Sequence, residues 1–253
     1  MVGELRGFLV IPARLASTRL PRKLLLAETG QPLIQHTYQA AQRAKRASGV
    51  VVAADHEEIA AAVRAFDGRV VMTSPACASG TDRVAEVARQ MPEVDIFVNV
   101  QGDEPEISGE AIDLAIELLE RDPSAVMATL ATPIRSREKL EDPACVKVVC
   151  DARGRALYFS RSVIPRPRTW DDALLGSEPP AFLQHIGLYA YRRDFLLQIA
   201  QLERCQHEKI ESLEQLRVLY HGHAIQVGLI DEPAIGIDTP ADYAAFVQRW
   251  QRQ

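Results

Sequence analysis

The sequence predicts an α/β protein in which helices cover both faces of a largely parallel sheet. In the first half of the chain, short aliphatic segments alternate with longer segments whose apolar residues recur every three or four positions. Buried strands and amphipathic helices produce these two patterns. Their alternation is typical of β-α-β units with right-handed crossovers. The length of 253 residues and the 47% hydrophobic content suit one large α/β domain or two small ones.

Four strands and three helices are predicted in the first half. The strands end at polar or turn residues and cover 7–12, 49–55, 69–73 and 95–103. The helices between them cover 32–47, 56–66 and 80–91. Asp82 and Arg83 fit the first turn of the third helix, which follows a loop of small residues.

The second half of the chain has a different pattern, with several strand-like segments and fewer long helices. The predicted strands cover 125–134, 145–151, 156–161 and 185–193. They fit either a mixed sheet or an inserted substrate lobe. Residues 166–180 contain the prolines, acids and glycine of an ordered or mobile loop.

Two helices are predicted towards the C-terminus, over 210–222 and 239–251. Thr239 is the expected N-cap of the second, and Pro240 occupies its first helical position. No internal repeat, low-complexity tract or Pro/Gly/Ser-rich linker interrupts the chain. We therefore expect one continuous domain, 1–253, that includes a lobe.

Charge and hydropathy exclude several classes of partner. The net charge is -5 and the pI is about 5.7, whereas nucleic-acid and membrane-surface binders are usually basic. No apolar run approaches the ~18–20 residues that span a bilayer. The N-terminal segment lacks the apolar region and cleavage pattern of a signal peptide. The expected protein is cytoplasmic and binds neither nucleic acid nor membrane.

The cysteines favour the same location. Cys77, Cys145, Cys150 and Cys205 form no C-x-x-C pair and have no zinc-finger spacing. Cys145 and Cys150 are five positions apart on a predicted strand and should face opposite sides. We interpret all four as reduced, partly buried thiols.

A basic loop follows the first predicted strand. Residues 14–23, here called the opening loop, contain the cations Arg14, Arg19, Arg22 and Lys23 and the short donors Ser17 and Thr18. Ligands of an open parallel sheet bind beyond the carboxyl ends of its strands. Arginine can also donate two parallel hydrogen bonds to the oxygens of a phosphate group. A solvated basic loop is the alternative, but the prolines and the position after the first strand favour a triphosphate site.

Two acids follow other apolar segments. Asp103 lies in "FVNVQGDEP" and Asp238 in "AIGIDTPADY". A carboxylate at such a position can hold Mg²⁺, which prefers oxygen ligands. Either acid alone also fits turn or helix-cap chemistry. Together they predict a clamp for one metal ion, with Glu104 expected to face solvent.

The segments "IPARLASTRLPRKLL", "SGTDR", "VNVQGDEP", "DPACVKVV", "HIGLYAYR" and "GIDTPAD" resemble the 3-deoxy-manno-octulosonate (Kdo) cytidylyltransferases. The matches run in family order from residue 11 to about residue 242. The spelling "RLASTR" separates them from generic sugar-phosphate nucleotidyltransferases and from sialic-acid activating relatives.

The resemblance implies a Rossmann-like nucleotide-diphospho-sugar transferase fold with three α/β/α layers and a mixed sheet. The nucleotide part would cover about 1–130, and a small sugar-binding and dimerisation lobe about 131–230. It also implies a homodimer, a Mg²⁺ cofactor, and the transfer of CMP from CTP to Kdo with release of pyrophosphate. The product would be the activated sugar for lipopolysaccharide biosynthesis.

The family's functional residues map onto this chain position by position. Phosphates of CTP would be held by Arg14, Arg19 and Lys23, with Ser17 nearby. Cytidine would lie near Ala13, Ser79 and Gln101. Asp103 and Asp238 would ligate Mg²⁺ and, with Arg14 and Lys23, act on the reacting groups. The acidic sugar would meet Arg161, His185, Tyr189, Glu214 and Gln215. Arg22 receives no role.

Three positions depart from the family pattern. Cys77 replaces a usual histidine near the nucleotide, Ala54 a threonine, and Lys209 a common apolar residue. None of these changes removes a proposed metal ligand or phosphate cation. The alternatives are an 8-amino analogue of Kdo or another acidic sugar as acceptor, or a nucleotide-binding regulator without turnover.

Overall fold

One mixed sheet organises residues 5–252, which are the residues that the computed structural model describes. The sheet has nine strands. Seven of them follow the order β3-β2-β1-β4-β8-β5-β9, and the other two, β6 and β7, branch from it because β6 pairs with both β7 and β8. The strands are β1 (Gly7–Ala13), β2 (Ala47–Ala54), β3 (Val70–Met72), β4 (Ile96–Asn99), β5 (Ala125–Pro133), β6 (Lys147–Cys150), β7 (Ala156–Ser160), β8 (Leu183–Arg192) and β9 (Ala224–Leu229).

Helices lie between the strands. They are α1 (Leu33–Ala41), α2 (Glu57–Ala65), α3 (Gly80–Arg89), α4 (Gly109–Arg121), α5 (Arg137–Glu141), α6 (Arg193–Ile199), α7 (Gln206–Glu211), α8 (Gln215–Tyr220) and α9 (Pro240–Trp250). Short 3₁₀ turns cover Lys23–Leu25 and Asp172–Gly176. No helix within 5–252 is both long and apolar enough to cross a membrane. Residues 1–4, part of the segment used for the signal-peptide argument, and Gln253 lie outside the described residues.

Alternate residues of the strands face two separate apolar cores. In β1, Leu9 and Ile11 pack in one core, with α1, α2 and α4. Phe8 and Val10 pack in the other, with α3, α6 and α8. Because successive side chains of a strand point to opposite faces, a strand that is apolar on both faces needs a cover on both sides. The three-layer architecture is therefore confirmed.

The direction of the strands brings several loops to one edge of the sheet. β1 runs parallel to β2 and β4, so the opening loop and the segment after Asn99 begin at the same edge. β8 runs antiparallel between β4 and β5, and Tyr189 pairs with Asn99. The first residues of β8 consequently extend beyond the end of β4, where they reach the same region.

The predicted helix over 32–47 was too long, since α1 ends at Ala41 and β2 has begun by Ala47. The backbone N–H groups of Lys45 and Arg46 donate to the Asp113 carboxylate of α4 at 2.9 and 2.8 Å. A side chain from a distant helix thus satisfies donors that a helix would have used internally. The strand predicted over 95–103 also ends early, at Asn99, and a turn follows.

The predicted helix over 210–222 is two helices. Ser212 adopts a left-handed conformation with φ of 52° and ends α7, and α8 begins at Gln215. The buried Glu208 carboxylate accepts two hydrogen bonds from Arg217, which holds α7 against α8. α4, α5, α6 and β9 were not predicted, whereas α9 begins at Pro240 with Thr239 as its N-cap, as expected.

Candidate active site

A cleft of about 230 Å³ opens where β1 ends. The opening loop forms one wall, and the first turn of α3 and the segment after β4 form the others. The lining residues are Pro12, Arg14, Ala16, Ser17, Lys23, Leu24, Gly80, Gln101, Gly102 and Asp103. A parallel sheet places ligand sites beyond the carboxyl ends of its strands, and this cleft has that position.

Lys23 joins the two acids that the sequence singled out. Its Nζ lies 2.5 Å from Oδ2 of Asp103 and 3.1 Å from Oδ1 of Asp238. The guanidinium of Arg19 also contacts Asp238, at 2.8 Å. Although Asp103 and Asp238 are far apart in sequence, both carboxylates converge on one cationic group.

The position of Asp238 depends on α9. The backbone N–H of Ile237 donates to the Asp103 carbonyl at 2.9 Å, which ties the two acidic segments together. Ile237 and the apolar face of α9 pack against Leu20 of the opening loop. The N–H of Glu28 donates to the Tyr243 hydroxyl at 2.9 Å. Contacts on both sides of Asp238 therefore fix it relative to the opening loop.

The Asp103 and Asp238 pair fits a divalent cation. Two carboxylates that already contact one ammonium group can supply hard oxygen ligands to a metal ion at the same place. Residues 5–252 contain no group of three or more acidic, histidine or cysteine side chains suited to a metal. A metal ion here would take its remaining ligands from substrate or water, which is usual for Mg²⁺ at phosphate sites.

The remaining basic residues of the opening loop have different surroundings. Arg14 lines the cleft, and its Nη2 donates to the carbonyl of Cys77 at 3.1 Å. Arg22 instead forms an ion pair with Glu58 at the start of α2. The absence of a role for Arg22 in the expected site agrees with this placement.

Ser79 and Gln101 connect the cleft to neighbouring elements. The Ser79 hydroxyl caps α3 by accepting from the N–H of Asp82. Gln101 donates from Nε2 to the carbonyl of Gly187 at 3.2 Å. Gly187 lies between His185 and Tyr189 on β8. The cleft therefore adjoins residues that the family resemblance assigns to the sugar.

A buried aromatic cluster surrounds His185. Its Nε2 lies 3.0 Å from the hydroxyl of Thr129. Its ring packs edge-on against Phe159 at 4.9 Å and lies 5.5 Å from the ring of Tyr189. Burial lowers the pKa of His185 to about 3, so the imidazole is neutral at ordinary pH. Burial also raises the pKa of Tyr189.

Glu214 and Gln215 lie where α8 begins. The hydroxyl of Thr81, in α3, donates to the Glu214 carboxylate, which links α8 to the wall of the cleft. Burial raises the pKa of Glu214, and the Thr81 hydrogen bond partly offsets this effect. Nε2 of Gln215 is buried without a hydrogen-bond partner among the described residues. Glu214 thus lies beside α3, close to the charged groups of Arg217, Asp82 and Glu208.

Arg161 is held differently from the other residues expected at the sugar. Its Nε donates to the Glu211 carbonyl at 2.7 Å and its Nη1 to the Pro143 carbonyl at 3.0 Å. The structure thus brings Arg14, Arg19, Lys23, Asp103 and Asp238 together. Arg161 instead donates its hydrogen bonds to backbone carbonyls in the second half of the chain.

Glu104 was expected to face solvent, and that expectation was wrong. Its Oε2 is buried and has no hydrogen-bond partner within 5–252. Burial, with a smaller effect of the Asp103 carboxylate, raises the pKa of Glu104 to about 8. Glu104 lies in a turn after Gln101, in which its N–H donates to the Gln101 carbonyl and its carbonyl accepts the N–H of Ile107, both at 3.2 Å. No pattern in the sequence distinguishes Glu104, next to Asp103, from an exposed acid.

The neutral state of His185 makes stability depend on pH. The pKa rises from about 3 in the folded protein to the usual 6.5 on unfolding, so the unfolded chain takes up a proton below pH 6.5. The free energy of unfolding is therefore unaffected by His185 well above pH 6.5. Proton uptake by His185 in the unfolded chain lowers this free energy by about 2 kcal/mol between pH 7 and pH 5. His185→Gln, which cannot titrate, should lose less stability over this interval in urea unfolding measurements.

The exposed His207 provides the matched control. We expect His207→Gln to retain the wild-type loss of stability between the two pH values. An equal loss in wild type and His185→Gln would contradict a neutral, buried imidazole at position 185.

Comparisons with known proteins agree with the fold. The sequence model of a family described as cytidylyltransferase matches residues 8–225. A 3-deoxy-manno-octulosonate cytidylyltransferase of Rhodopirellula baltica is 49% identical over 98% of this chain and 100% of the relative. One of Geotalea uraniireducens is 48% identical over 96% of this chain and 98% of the relative.

Solved structures give the same result. A CMP:2-keto-3-deoxy-manno-octonic acid synthetase complexed with CTP superposes with a TM-score of 0.90 at 40% identity. The superposition covers 98% of this chain and 99% of that protein. A cytidylyltransferase from Leptospira borgpetersenii has a TM-score of 0.63 at 15% identity, covering 98% of this chain and 88% of that one, which supports the fold alone.

The sequence identity extends over nearly the whole length of these relatives, and the matched region includes the opening loop and both halves of the sheet. The chain belongs to the family of 3-deoxy-manno-octulosonate cytidylyltransferases.

Proposed function

We propose that the protein transfers CMP from CTP to Kdo, which gives CMP-Kdo and pyrophosphate. The observation that carries this proposal is the convergence of Asp103 and Asp238 on Lys23 at the edge of a basic cleft. Family membership supports the same reaction. The cleft next to β1 would take CTP, and the cluster around His185 would take the sugar acid.

The opening loop would bind the triphosphate. Arg14, Arg19 and Lys23 carry the positive charge that offsets three phosphate groups, and Ser17 adds a hydroxyl donor. Charge develops on the leaving pyrophosphate during transfer, and fixed cations stabilise it without reorganisation of solvent. Lys23 would exchange its acidic partners for phosphate oxygens.

Cytidine would lie against the first turn of α3 and the end of β4. Ala13 ends the adjoining strand β1, Ser79 caps α3 and Gln101 follows β4, where its side chain would offer an amide group to the base. Gly80 lies close to Pro12, so a larger residue would narrow the cleft: a Cβ at position 80 would meet the Pro12 ring at 3.4 Å.

Asp103 and Asp238 would hold the Mg²⁺ ion. Bound there, Mg²⁺ would neutralise charge between the α-phosphate and the sugar acid and lower the pKa of the attacking hydroxyl. The carboxylates would hold the ion and the cations of the opening loop the triphosphate, so that the anomeric hydroxyl of Kdo could attack the α-phosphorus in line with the departing pyrophosphate.

The residues of β8 and α8 would position the sugar. His185 is neutral and can donate or accept one hydrogen bond, while Tyr189 remains a phenol that can do both. Glu214 and Gln215 can accept from and donate to sugar hydroxyls. Arg161 would contact the sugar carboxylate, and this requires its guanidinium to leave the carbonyls of Glu211 and Pro143.

The reaction is tested by supplying CTP, Mg²⁺ and a panel of acidic sugars to the purified protein. We expect pyrophosphate release and CMP-Kdo with Kdo, measured by a coupled phosphate assay and mass spectrometry. Product only with 8-amino-Kdo or another acidic sugar would assign a different acceptor. Tight CTP binding without product from any acceptor would instead indicate a regulator.

We also propose a homodimer that uses the second half of the chain, and a cytoplasmic location. Large apolar side chains are exposed on β7, α7 and α8, at Leu157, Ile210 and Tyr220. All four cysteines are free, which suits a reducing compartment. Sedimentation equilibrium at micromolar concentration should give twice the chain mass, and a monomer would refute the dimer.

A further inference from the structure

Arg83 is a completely buried cation that lies outside the cleft lining. It belongs to the first turn of α3, and its side chain is 0% exposed. Its Nη1 donates to the Thr73 hydroxyl and, at 3.3 Å, to the Ser74 carbonyl. Its Nε and Nη2 have no hydrogen-bond partner among residues 5–252. An incompletely bonded guanidinium is a poor way to stabilise a core, since burying it is costly.

Asp55 provides the compensating charge and contacts the opening loop. Its Oδ2 lies 3.6 Å from Nη2 of Arg83. Its other oxygen, Oδ1, accepts the backbone N–H of Leu15 at 3.0 Å. Asp55 directly follows β2, and its own N–H donates to the Ala13 carbonyl at 3.2 Å. The carboxylate therefore sets the path of the chain as it leaves β1.

Arg83 also supports the other side of Arg14. Through Thr73 and Ser74 it holds the start of the segment that leads to Cys77. The Cys77 N–H donates to the Ser74 carbonyl at 3.2 Å, and the Cys77 carbonyl accepts the Arg14 guanidinium. One buried side chain thus supports both the backbone next to Arg14 and the acceptor of its guanidinium.

We propose that Arg83 is a positioning residue for CTP, which acts through Asp55 and the 73–77 segment to hold the opening loop in its phosphate-binding conformation. The inference rests on the proposed function, because it assigns CTP to the adjoining cleft. A side chain that only fills the core would leave nucleotide affinity unchanged once the protein is folded. A positioning side chain changes CTP affinity specifically.

The test compares Arg83→Met, Arg83→Lys and Asp55→Asn with a matched control. The control is Arg155→Met, which removes a different, partly exposed arginine that pairs with Asp122 at 2.6 Å at the opposite edge of the sheet. For each folded variant, calorimetry with CTP and Mg²⁺ gives the Kd, steady-state kinetics give KM values for both substrates, and thermal unfolding gives Tm.

Arg83→Met and Asp55→Asn should each weaken CTP binding about tenfold, since each removes a charged group from a hydrogen-bonded network. The KM for the sugar should stay within about twofold. Arg83→Lys, which keeps the charge but loses the planar fork, should fall between Arg83→Met and wild type. Arg155→Met should lower Tm while CTP affinity stays at the wild-type value.

Wild-type CTP affinity in folded Asp55→Asn or Arg83→Lys would overturn the proposal, even if Arg83→Met does not fold. An equal loss of CTP affinity in Arg155→Met would also overturn it. A wild-type protein that binds CTP but transfers CMP to no sugar would contradict the proposed function. Because calorimetry needs no acceptor sugar, it would still test the role of Arg83 in that case.

Discussion

Asp103→Asn is expected to lower the kcat of CMP-Kdo formation by more than about a hundredfold, because substitutions beyond the ligands of metal sites already cost ~10–100-fold. The amide keeps the shape of the side chain but loses the charge and one acceptor oxygen. Asp238→Asn should have the same effect, as both carboxylates serve one cation position. Pyrophosphate release at saturating CTP, Kdo and Mg²⁺ measures the loss.

Both variants should remain folded, because Lys23 keeps one acidic partner in each. Circular dichroism and thermal unfolding check this expectation. Asp231→Asn is the matched control, since Asp231 is exposed and, like Asp238, precedes α9. Turnover near the wild-type rate in either Asp103→Asn or Asp238→Asn would reject the metal clamp.

Lys23→Met should have two opposite effects, because Lys23 contacts the acids in the free protein and would bind phosphate in the complex. Loss of a fixed cation at the triphosphate should lower kcat/KM for CTP by about a hundredfold. Loss of the ammonium group from between the acids should strengthen Mg²⁺ binding to the free protein, by about fivefold for these partly exposed ion pairs. Kinetics and a Mg²⁺ titration by calorimetry measure the two effects separately.

Lys209→Met is the control for this experiment, since Lys209 is an exposed lysine on α7. It should alter neither quantity. Weaker Mg²⁺ binding in Lys23→Met would show that the ammonium group does not compete for the two carboxylates.

Much of the first half of the chain could be predicted from local patterns. β1 has apolar residues on both faces, so its burial follows from the sequence alone. Thr239 and Pro240 carry a helix-start signal that needs no tertiary information. A missed signal was also present for α4, where Ser108 caps a helix with buried residues at Ile112, Ile116 and Leu119.

Other features depend on contacts between distant segments. α1 stops early because Asp113 binds the N–H groups that follow it, and no local pattern contains this information. The break at Ser212 depends on how the Glu208–Arg217 pair packs α7 on α8. Arg83 fits the first turn of a helix from sequence, but its burial beside Asp55 is visible only once the sheet has formed.

The convergence of Asp103, Asp238 and Lys23 has a consequence for the order of events during protein synthesis. Lys23 and Asp103 leave the ribosome early, with the strands of the first half, whereas Asp238 follows only after β9 has been made. A nascent chain can thus form the central sheet while half of its acidic pair is still missing. Under the proposed function, the metal site would be complete only once α9 docks against Leu20 and Leu33, and partly synthesised chains would not consume CTP.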